Sequence, residues 1–291
     1  MNNPPGFVQP PVITATEDKP FAVVQNSTVD GNLIVTAGMD GVLRIYDNRD
    51  GSLVRTLTGH TASVNGVVIT PDDAYVVSCS GDYDPAWQTR KTLNGDNTDN
   101  SIRVWDLPSG LQLLKLPLQN APVNCHYLGV SAIAANEAAT ILISGGYDHA
   151  VCLWDISTGK LLYKFGGLDQ QITTNGTVYV DTTAYHAGAI TAIATYTQRS
   201  ETGLDLLQRA ISSSDDSSFR VWDIGVSSVS AFTEIACVGP ASARCQTPNP
   251  LAHTQPVTCM TILNMPPSRQ MLITGAAQSK KSKHYFFPSN F

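Results

Sequence analysis

Charge is scarce in this sequence. Asp, Glu, Lys and Arg make up only 14% of its 291 residues, while 42% are hydrophobic, so material for a buried core is ample. Basic residues are the rarer sign, 18 against 24 acidic ones, for a formal charge of −6. A net negative field argues against a nucleic-acid surface or a polybasic membrane contact. The basic clusters Arg90-Lys91 and Lys280, Lys281, Lys283 are too small to reverse it. No apolar run reaches the roughly 18 residues that a helical membrane span needs. The start, "MNNPPGFVQPPVITATEDKP", lacks the basic and apolar regions of a signal peptide. CxxC spacing is absent: Cys79, Cys125, Cys152, Cys237, Cys245 and Cys259 are scattered, and Cys79, Cys152 and Cys259 sit in apparent strands. Buried free thiols in a reducing compartment are the expectation. Without a secretory signal, the sequons at Asn26 and Asn175 are expected to be unused.

A sustained 3.6-residue apolar stripe is missing too. The best helix candidate, "SAIAANEAAT", also fits a strand, a turn and a strand. What is present is a recurring phrase at the end of short apolar runs: "LRIYDNRDG", "IRVWDLPSG", "VCLWDISTG" and "FRVWDIG". They end on Tyr46-Asp47, Trp105-Asp106, Trp154-Asp155 and Trp222-Asp223, and such recurrence marks a repeat architecture. Runs rich in Val, Ile, Leu, Thr and Ser, separated by Gly, Asp, Asn and Pro, read as strands and turns. Four strands per unit can be traced: 20–26, 32–38, 42–47 and 53–58 in the first, and 63–70, 73–80, 101–107 and 111–118 in the second. The third gives 122–134, 139–145, 149–156 and 160–166, and the fourth 189–196, 207–214, 218–224 and 229–238. A fifth begins with 255–263 and 270–276 and then loses the pattern, although "HYFF" still suits a strand.

Over about residues 20–277 these units resemble the WD-repeat (WD40) family of β-propellers. The resemblance implies an all-β fold in which each repeat is one four-stranded blade, stacked radially around a channel. A lone blade cannot bury both its faces, so its neighbours supply the core. The expected organisation is four complete blades and a partial fifth. An N-terminal segment 1–19 offers a closing strand, followed by blades at 20–59, 60–119 (with an insertion at 83–99), 120–185 and 186–252. A partial blade with a divergent tail occupies 253–291. Family members commonly close with seven blades, so a truncated or alternatively terminated propeller is the simplest expectation. It would be a strained small ring, an arc completed by a partner or a second copy, or a marginal fragment.

The resemblance also implies a hydrogen-bonded tetrad in each blade: a Trp on the third strand, a Ser or Thr on the second, a His before the first and an Asp in the turn. A Trp between blades buries a large ring but must place its indole N–H on a partner. The fourth unit has all members, His186, Ser212, Asp216 and Trp222. The third has Ser144, Asp148 and Trp154 at the same spacing, but Gln119 in the expected His slot. The first has Thr36, Asp40 and Tyr46 and no His upstream. The second has His60, Ser78 and Trp105, with both Asp82 and Asp99 suitably spaced. In the fifth, Gln278 falls on the Asp position and His284 on the Trp position. Units without His, the first and third, are expected to be softer.

Nothing in the chain assembles a nucleophile, a base and an oxyanion site. His60, His186 and His253 recur at the repeat phase, which assigns them to structure rather than to catalysis or metal binding. No catalytic residue, metal ligand or cofactor is assigned. The expected function is a non-enzymatic scaffold that binds other proteins, not nucleic acid or membrane, in the cytoplasm or the nucleus. The long loops at 83–99, 167–185 and 239–252 are expected on one face of the disc. Trp87, Arg90 and Lys91 in the first of them are the candidate contact residues. Tyr46-Asp47 followed by Arg49 resembles the motif by which some WD-repeat proteins dock onto cullin-RING ubiquitin ligase adaptors. An enzyme or small-molecule binder using the channel would have to draw on Asn65, Asn124, Cys125, His126 and Thr191, which offer no carboxylate cluster.

Overall fold

The computed structural model describes residues 22–81, 99–117, 125–126, 128–167, 179–181, 185–199, 206–225, 233–240, 253–265, 269–276 and 283–287. These contain strands and turns and no helix. The first sheet is formed by β1 (Ala22–Ser27), β2 (Leu33–Gly38), β3 (Leu43–Asp47) and β4 (Leu53–Leu57), paired in chain order. The second is formed by β5 (Val64–Ile69), β6 (Tyr75–Ser80), β7 (Ile102–Asp106) and β8 (Gln112–Leu116). The third holds β9 (Val130–Ala135), β10 (Ile141–Gly146), β11 (Val151–Asp155) and β12 (Leu161–Phe165). A short β13 (Tyr179–Asp181) pairs parallel to β12, so this sheet has five strands. The fourth holds β14 (Ile190–Arg199), β15 (Leu206–Ser214), β16 (Phe219–Asp223) and β17 (Glu234–Val238). The fifth has three strands, β18 (Val257–Met265), β19 (Arg269–Ala276) and β20 (Lys283–Phe287).

The segment "SAIAANEAAT" is the rest of β9 and a turn, and β10 follows it at Ile141. Asn136 Oδ1 accepts bonds from the Thr140 and Ile141 amides and closes that turn locally, which removes the reason for a helix. Two expectations need correction. The third unit's first strand starts at Val130, not at 122, because His126 stands outside it with a positive φ of 54°. In the fourth unit, β14 and β15 extend into the segment 197–206, where Gln198 pairs with Leu207 and Arg199 with Leu206.

One register recurs. The bond pattern shifts between the first and second strands at Val64/Gly66, Gly145/Gly146, Ile190/Ala192 and Val257/Cys259. It shifts again between the third and fourth strands, each time just before the aromatic residue: Ile45/Tyr46, Val104/Trp105, Leu153/Trp154 and Val221/Trp222. A bulge at a fixed place adds the same local twist to every sheet. Equal twist lets successive sheets lie face to face.

The first strands pack in the order β1, β5, β9, β14, β18. No comparable packing among the described residues joins β18 to β1. The core lies between sheets. Trp105 packs against Val35, Ile45 and Leu57 of the first sheet. Trp154 packs against Val77, Val104 and Leu116 of the second. Trp222 packs against Ile143, Leu153 and Phe165 of the third, with its ring centroid 4.2 Å from that of Phe165. Each tryptophan therefore seals its own sheet to the preceding one.

Polar bonds cross the same junctions near the first strands. Asn65 Nδ2 donates to Val130 O at 2.9 Å, Ser131 Oγ to Ile190 O at 2.5 Å and Thr191 Oγ1 to Val257 O at 2.5 Å. These three residues hold equivalent positions, the second residue of β5, β9 and β14.

The cysteines divide. Cys79, Cys125 and Cys152 are free and buried, whereas Cys259, also free, is exposed on β18, and Cys237 is disulfide-bonded. The expectation of buried free thiols therefore fails at Cys259 and Cys237; Cys245 lies outside the described residues.

Trp222→Ala removes the ring between the third and fourth sheets and takes the indole donor from the Ser212 oxygen. It should cost about 3–5 kcal/mol in chemical denaturation, the range for a large buried aromatic. An exposed substitution such as Leu206→Ala should stay within about 0.5 kcal/mol.

Candidate functional site

The polar residues with fixed spacing converge beneath the tryptophans. In the second unit, Trp105 Nε1 donates to Ser78 Oγ at 2.9 Å. Ser78 Oγ lies 2.7 Å from His60 Nε2, and His60 Nδ1 lies 2.5 Å from Asp99 Oδ2. In the fourth, Trp222 Nε1 donates to Ser212 Oγ at 2.8 Å, His186 Nε2 is 2.7 Å from that oxygen, and His186 Nδ1 is 3.2 Å from Asp216 Oδ2. The carboxylates also hold the loop ahead of the sheet, by accepting from the amides of Thr61 at 3.1 Å and Ala187 at 2.8 Å.

The second unit uses Asp99. Asp82, the other candidate, lies outside the described residues. An insertion separates Ser78 from Asp99 in sequence, but Asp99 keeps its distance from Trp105 along the chain, and the strand pairing restores the rest.

The third unit corrects the reading of Gln119. The histidine is His126: its Nε2 is 2.7 Å from Ser144 Oγ and its Nδ1 3.1 Å from Asp148 Oδ1. Trp154 Nε1 donates to Ser144 Oγ at 2.8 Å. Gln119 lies outside the described residues. A signal for His126 was in the sequence: it precedes Ser144 by 18 residues, as His60 precedes Ser78. The longer β14–β15 hairpin stretches that interval to 26 in the fourth unit and hides the rule.

The fifth unit also differs from its linear reading. His253 Nε2 lies 2.6 Å from Thr274 Oγ1. Opposite Leu272, two residues before Thr274, stands Tyr285, as Trp154 stands opposite Leu142. Tyr285, not His284, therefore holds the tryptophan register, because this hairpin is one residue longer. Gln278 lies outside the described residues. In the first unit Asp40 turns to Arg44 at 2.7 Å, and Tyr46 takes the aromatic place.

The geometry implies one proton arrangement in the second and fourth units. The Ser oxygen accepts from the indole N–H, its own hydrogen goes to the imidazole Nε2, and Nδ1–H points at the carboxylate. Neutral imidazole fits. Burial holds His60 and His186 below the ordinary histidine range, against the pull of Asp99 and Asp216. Burial alone would raise those two carboxyls, but hydrogen bonds from His60 and Ser101, and from His186 and Ser218, hold both well below the usual range. The serines therefore differ from a hydrolase nucleophile, whose oxygen must be free to attack: theirs is already held by an indole.

The channel candidates are likewise occupied. Asn65 and Thr191 tie successive sheets, His126 completes a tetrad and Cys125 is buried. Asn124 lies outside the described residues. Among the described residues no three His, Cys, Asp or Glu side chains are placed to share a metal ion. Trp87, Arg90 and Lys91 lie outside the described residues. Arg49 is exposed and bonded to Asp47, Nη2 to Oδ2 at 2.5 Å.

With its histidine in place, the third unit should not be soft. Amide hydrogen exchange should protect β10 and β11 as well as β15 and β16, while β2 and β3 exchange faster. His126→Ala should cost about 1–3 kcal/mol, the penalty for stranding a buried hydroxyl and carboxylate. Acid should act through His60 and His186 first. Their folded pKa lies below the unfolded value of about 6.5, so the unfolded chain binds these protons first and stability falls as the pH drops below about 6.5. The depressed Asp99 and Asp216 contribute stability above about pH 4 that is lost as the pH falls further. Denaturation midpoints recorded from pH 7 to 3 should fall in that order, and His186→Gln should blunt the first step.

The family model described as "WD domain, G-beta repeat" matches residues 22–47, 51–106 and 118–155. Among curated proteins, the chain is 28% identical over 196 residues to nuclear distribution protein PAC1-2 of Uncinocarpus reesii, covering 67% of this chain and 36% of that protein. It is 25% identical over 154 residues to the U3 small nucleolar RNA-associated protein 15 homolog of Xenopus tropicalis (53% of this chain, 25% of that protein). It is 26% identical over 136 residues to pre-mRNA-processing factor 19 of Caenorhabditis elegans (47% and 23%). The chain thus spans about a third or less of the length of these relatives. Among solved structures, a chain of the mitotic checkpoint complex superposes with a TM-score of 0.56 at 17% identity, over 87% of this chain and 60% of the other. The computationally designed Ika8 protein gives 0.54 at 20%, over 92% and 59%. The repeat match, the fold likeness and the recurring tryptophan clamp agree: WD repeats are matched within residues 22–155, and the chain resembles the WD-repeat (WD40) family of β-propellers in sequence and fold.

Proposed function

We propose that the chain is a non-enzymatic scaffold that binds other proteins through loops on one face of the stack. One observation carries this reading. The Ser, His and Asp side chains that would suggest chemistry are bonded to one another beneath a tryptophan in three sheets. That leaves a rigid framework whose variable parts are the segments between strands. Fold alone does not assign function, so the proposal rests on this disposal of the reactive groups together with the family. The segment 83–99, with Trp87, Arg90 and Lys91, is the proposed contact region. Aromatic and Arg side chains dominate protein interfaces, which supports the choice. Cytoplasm and nucleus both suit the proposal; two of the relatives carry names that refer to nucleolar RNA or pre-mRNA.

A narrower reading is docking onto a cullin-RING ligase adaptor through the first unit. Its support is Arg49, whose side chain is 74% exposed and steadied by Asp47.

The triple variant Trp87→Ala, Arg90→Ala, Lys91→Ala should weaken at least one captured partner tenfold or more and leave the thermal midpoint unchanged. An unchanged set of partners in quantitative pull-down would remove the loop from the proposal. Arg49→Ala should abolish adaptor capture on the narrower reading, and equal capture by both proteins would end it.

A further inference from the structure

We propose that the outer edge of β8 is a docking site for an extended, acidic segment of a partner protein, which adds to the second sheet as a fifth strand. The third sheet displays the arrangement within this chain. There β13 lies along β12 and runs parallel to it, with Tyr179 opposite Tyr163, Val180 opposite Lys164 and Asp181 opposite Phe165.

β8 and β12 hold the same place in their sheets. Register pairs Lys115 with Arg103 and Leu116 with Ile102 in the second sheet, as it pairs Lys164 with Cys152 and Phe165 with Val151 in the third. The shift before each tryptophan skips Leu113 in the one and Leu162 in the other. What differs is cover. With β13 alongside, Lys164 is 1% exposed and Leu162 is half-buried. The Lys115 side chain is 53% exposed and Leu113 is 50% exposed. Among the described residues no strand pairs with the outer edge of β8.

Apolar surface is concentrated at this rim. Of the seven large apolar side chains that stand exposed among the described residues, four lie here: Leu111 and Leu113 at the start of β8, and Leu53 and Val54 on β4. Arg55 joins the two strips, because its Nη1 donates to Leu107 O at 3.1 Å and to Pro108 O at 2.6 Å in the turn that enters β8. None of the seven lies on β17, the corresponding strand of the fourth sheet.

An outermost strand presents unpaired main-chain groups, and an added strand satisfies them while side chains select the partner. Charge makes the selection here. Lys115 Nζ approaches Asp99 only to 3.7 Å and stands largely in water, so its charge is open to an incoming carboxylate. β13 carries one acidic residue, Asp181, one step in register from the equivalent lysine. A second copy pairing through its own β8 would bring lysine to lysine, which disfavours self-association. The site rests on the scaffold reading but lies apart from the segment 83–99, on a second surface.

The probe is a fluorescent synthetic peptide with the sequence of residues 176–184, GTVYVDTTA, which contains β13 and carries a photo-crosslinking group. Anisotropy titration with the full chain should give saturable binding, weakened about threefold by Lys115→Gln and about tenfold by Leu113→Glu. A peptide carrying Asp181→Lys should bind about threefold more weakly to the unsubstituted chain, and Lys115→Gln should weaken it no further. Crosslinking, digestion and mass spectrometry should join the peptide to residues 111–116. Absence of saturable binding, indifference to both variants, or attachment to residues 161–165 or elsewhere would overturn the proposal. A concentration-dependent dimer that Leu113→Glu dissolves would overturn it too, by giving the edge to a second copy. Where a variant folds poorly, the crosslink map of the unsubstituted chain decides. The triple variant at Trp87, Arg90 and Lys91 should bind the peptide unchanged, so failure of this site and failure of the loop reading are distinguishable.

Discussion

The structure turns on one hydroxyl in each of three sheets. Ser78, Ser144 and Ser212 each receive an indole N–H on one side and meet an imidazole nitrogen on the other. The tryptophan must lie between sheets to bury its ring, yet its N–H cannot be left unpaired there. Placing an acceptor on the adjacent strand solves this, and the acceptor in turn needs a partner for its own hydrogen. The histidine supplies it, and the aspartate fixes which imidazole nitrogen carries the proton. A chain of polar needs, begun by one buried ring, ends by anchoring the loop ahead of the sheet.

The same logic joins the sheets to one another. Side chains on the second residue of β5, β9 and β14 donate to main-chain oxygens of the next first strand. In an interior lined by strands, Asn65, Ser131 and Thr191 would be read as candidate ligands. Their bonds make them mortar. Polar groups at the sheet junctions and in the clamps are therefore abundant without implying chemistry, because these are matched to specific neighbours. The departure that stands out is the third sheet, where β13 adds a fifth strand along β12.

Much of this was legible in the linear chain. The interval from Ser144 to Trp154, and from Ser212 to Trp222, is the length of a tight hairpin, so spacing reported contact directly. Legibility failed where the intervening chain changed length. His126 is missed in favour of Gln119 because the 18-residue interval from histidine to clamp serine holds in two units and stretches to 26 in the fourth. Asp82 and Asp99 could not be ranked because an insertion separates them. Tyr285 was hidden by a single extra residue in the last hairpin. In each case the interaction is local in space and distant along the chain, which spacing does not measure.

By itself, the sequence determined the secondary structure class and the repeat. Alternating β-branched runs broken by Gly and Asp form strands in almost any context, and a phrase said four times demands a common environment. Only the tertiary structure decided which polar residue meets which. Strand register and the packing of one sheet on the next select Asp99, His126 and the place of Tyr285, and these are properties of the assembled stack rather than of any segment within it.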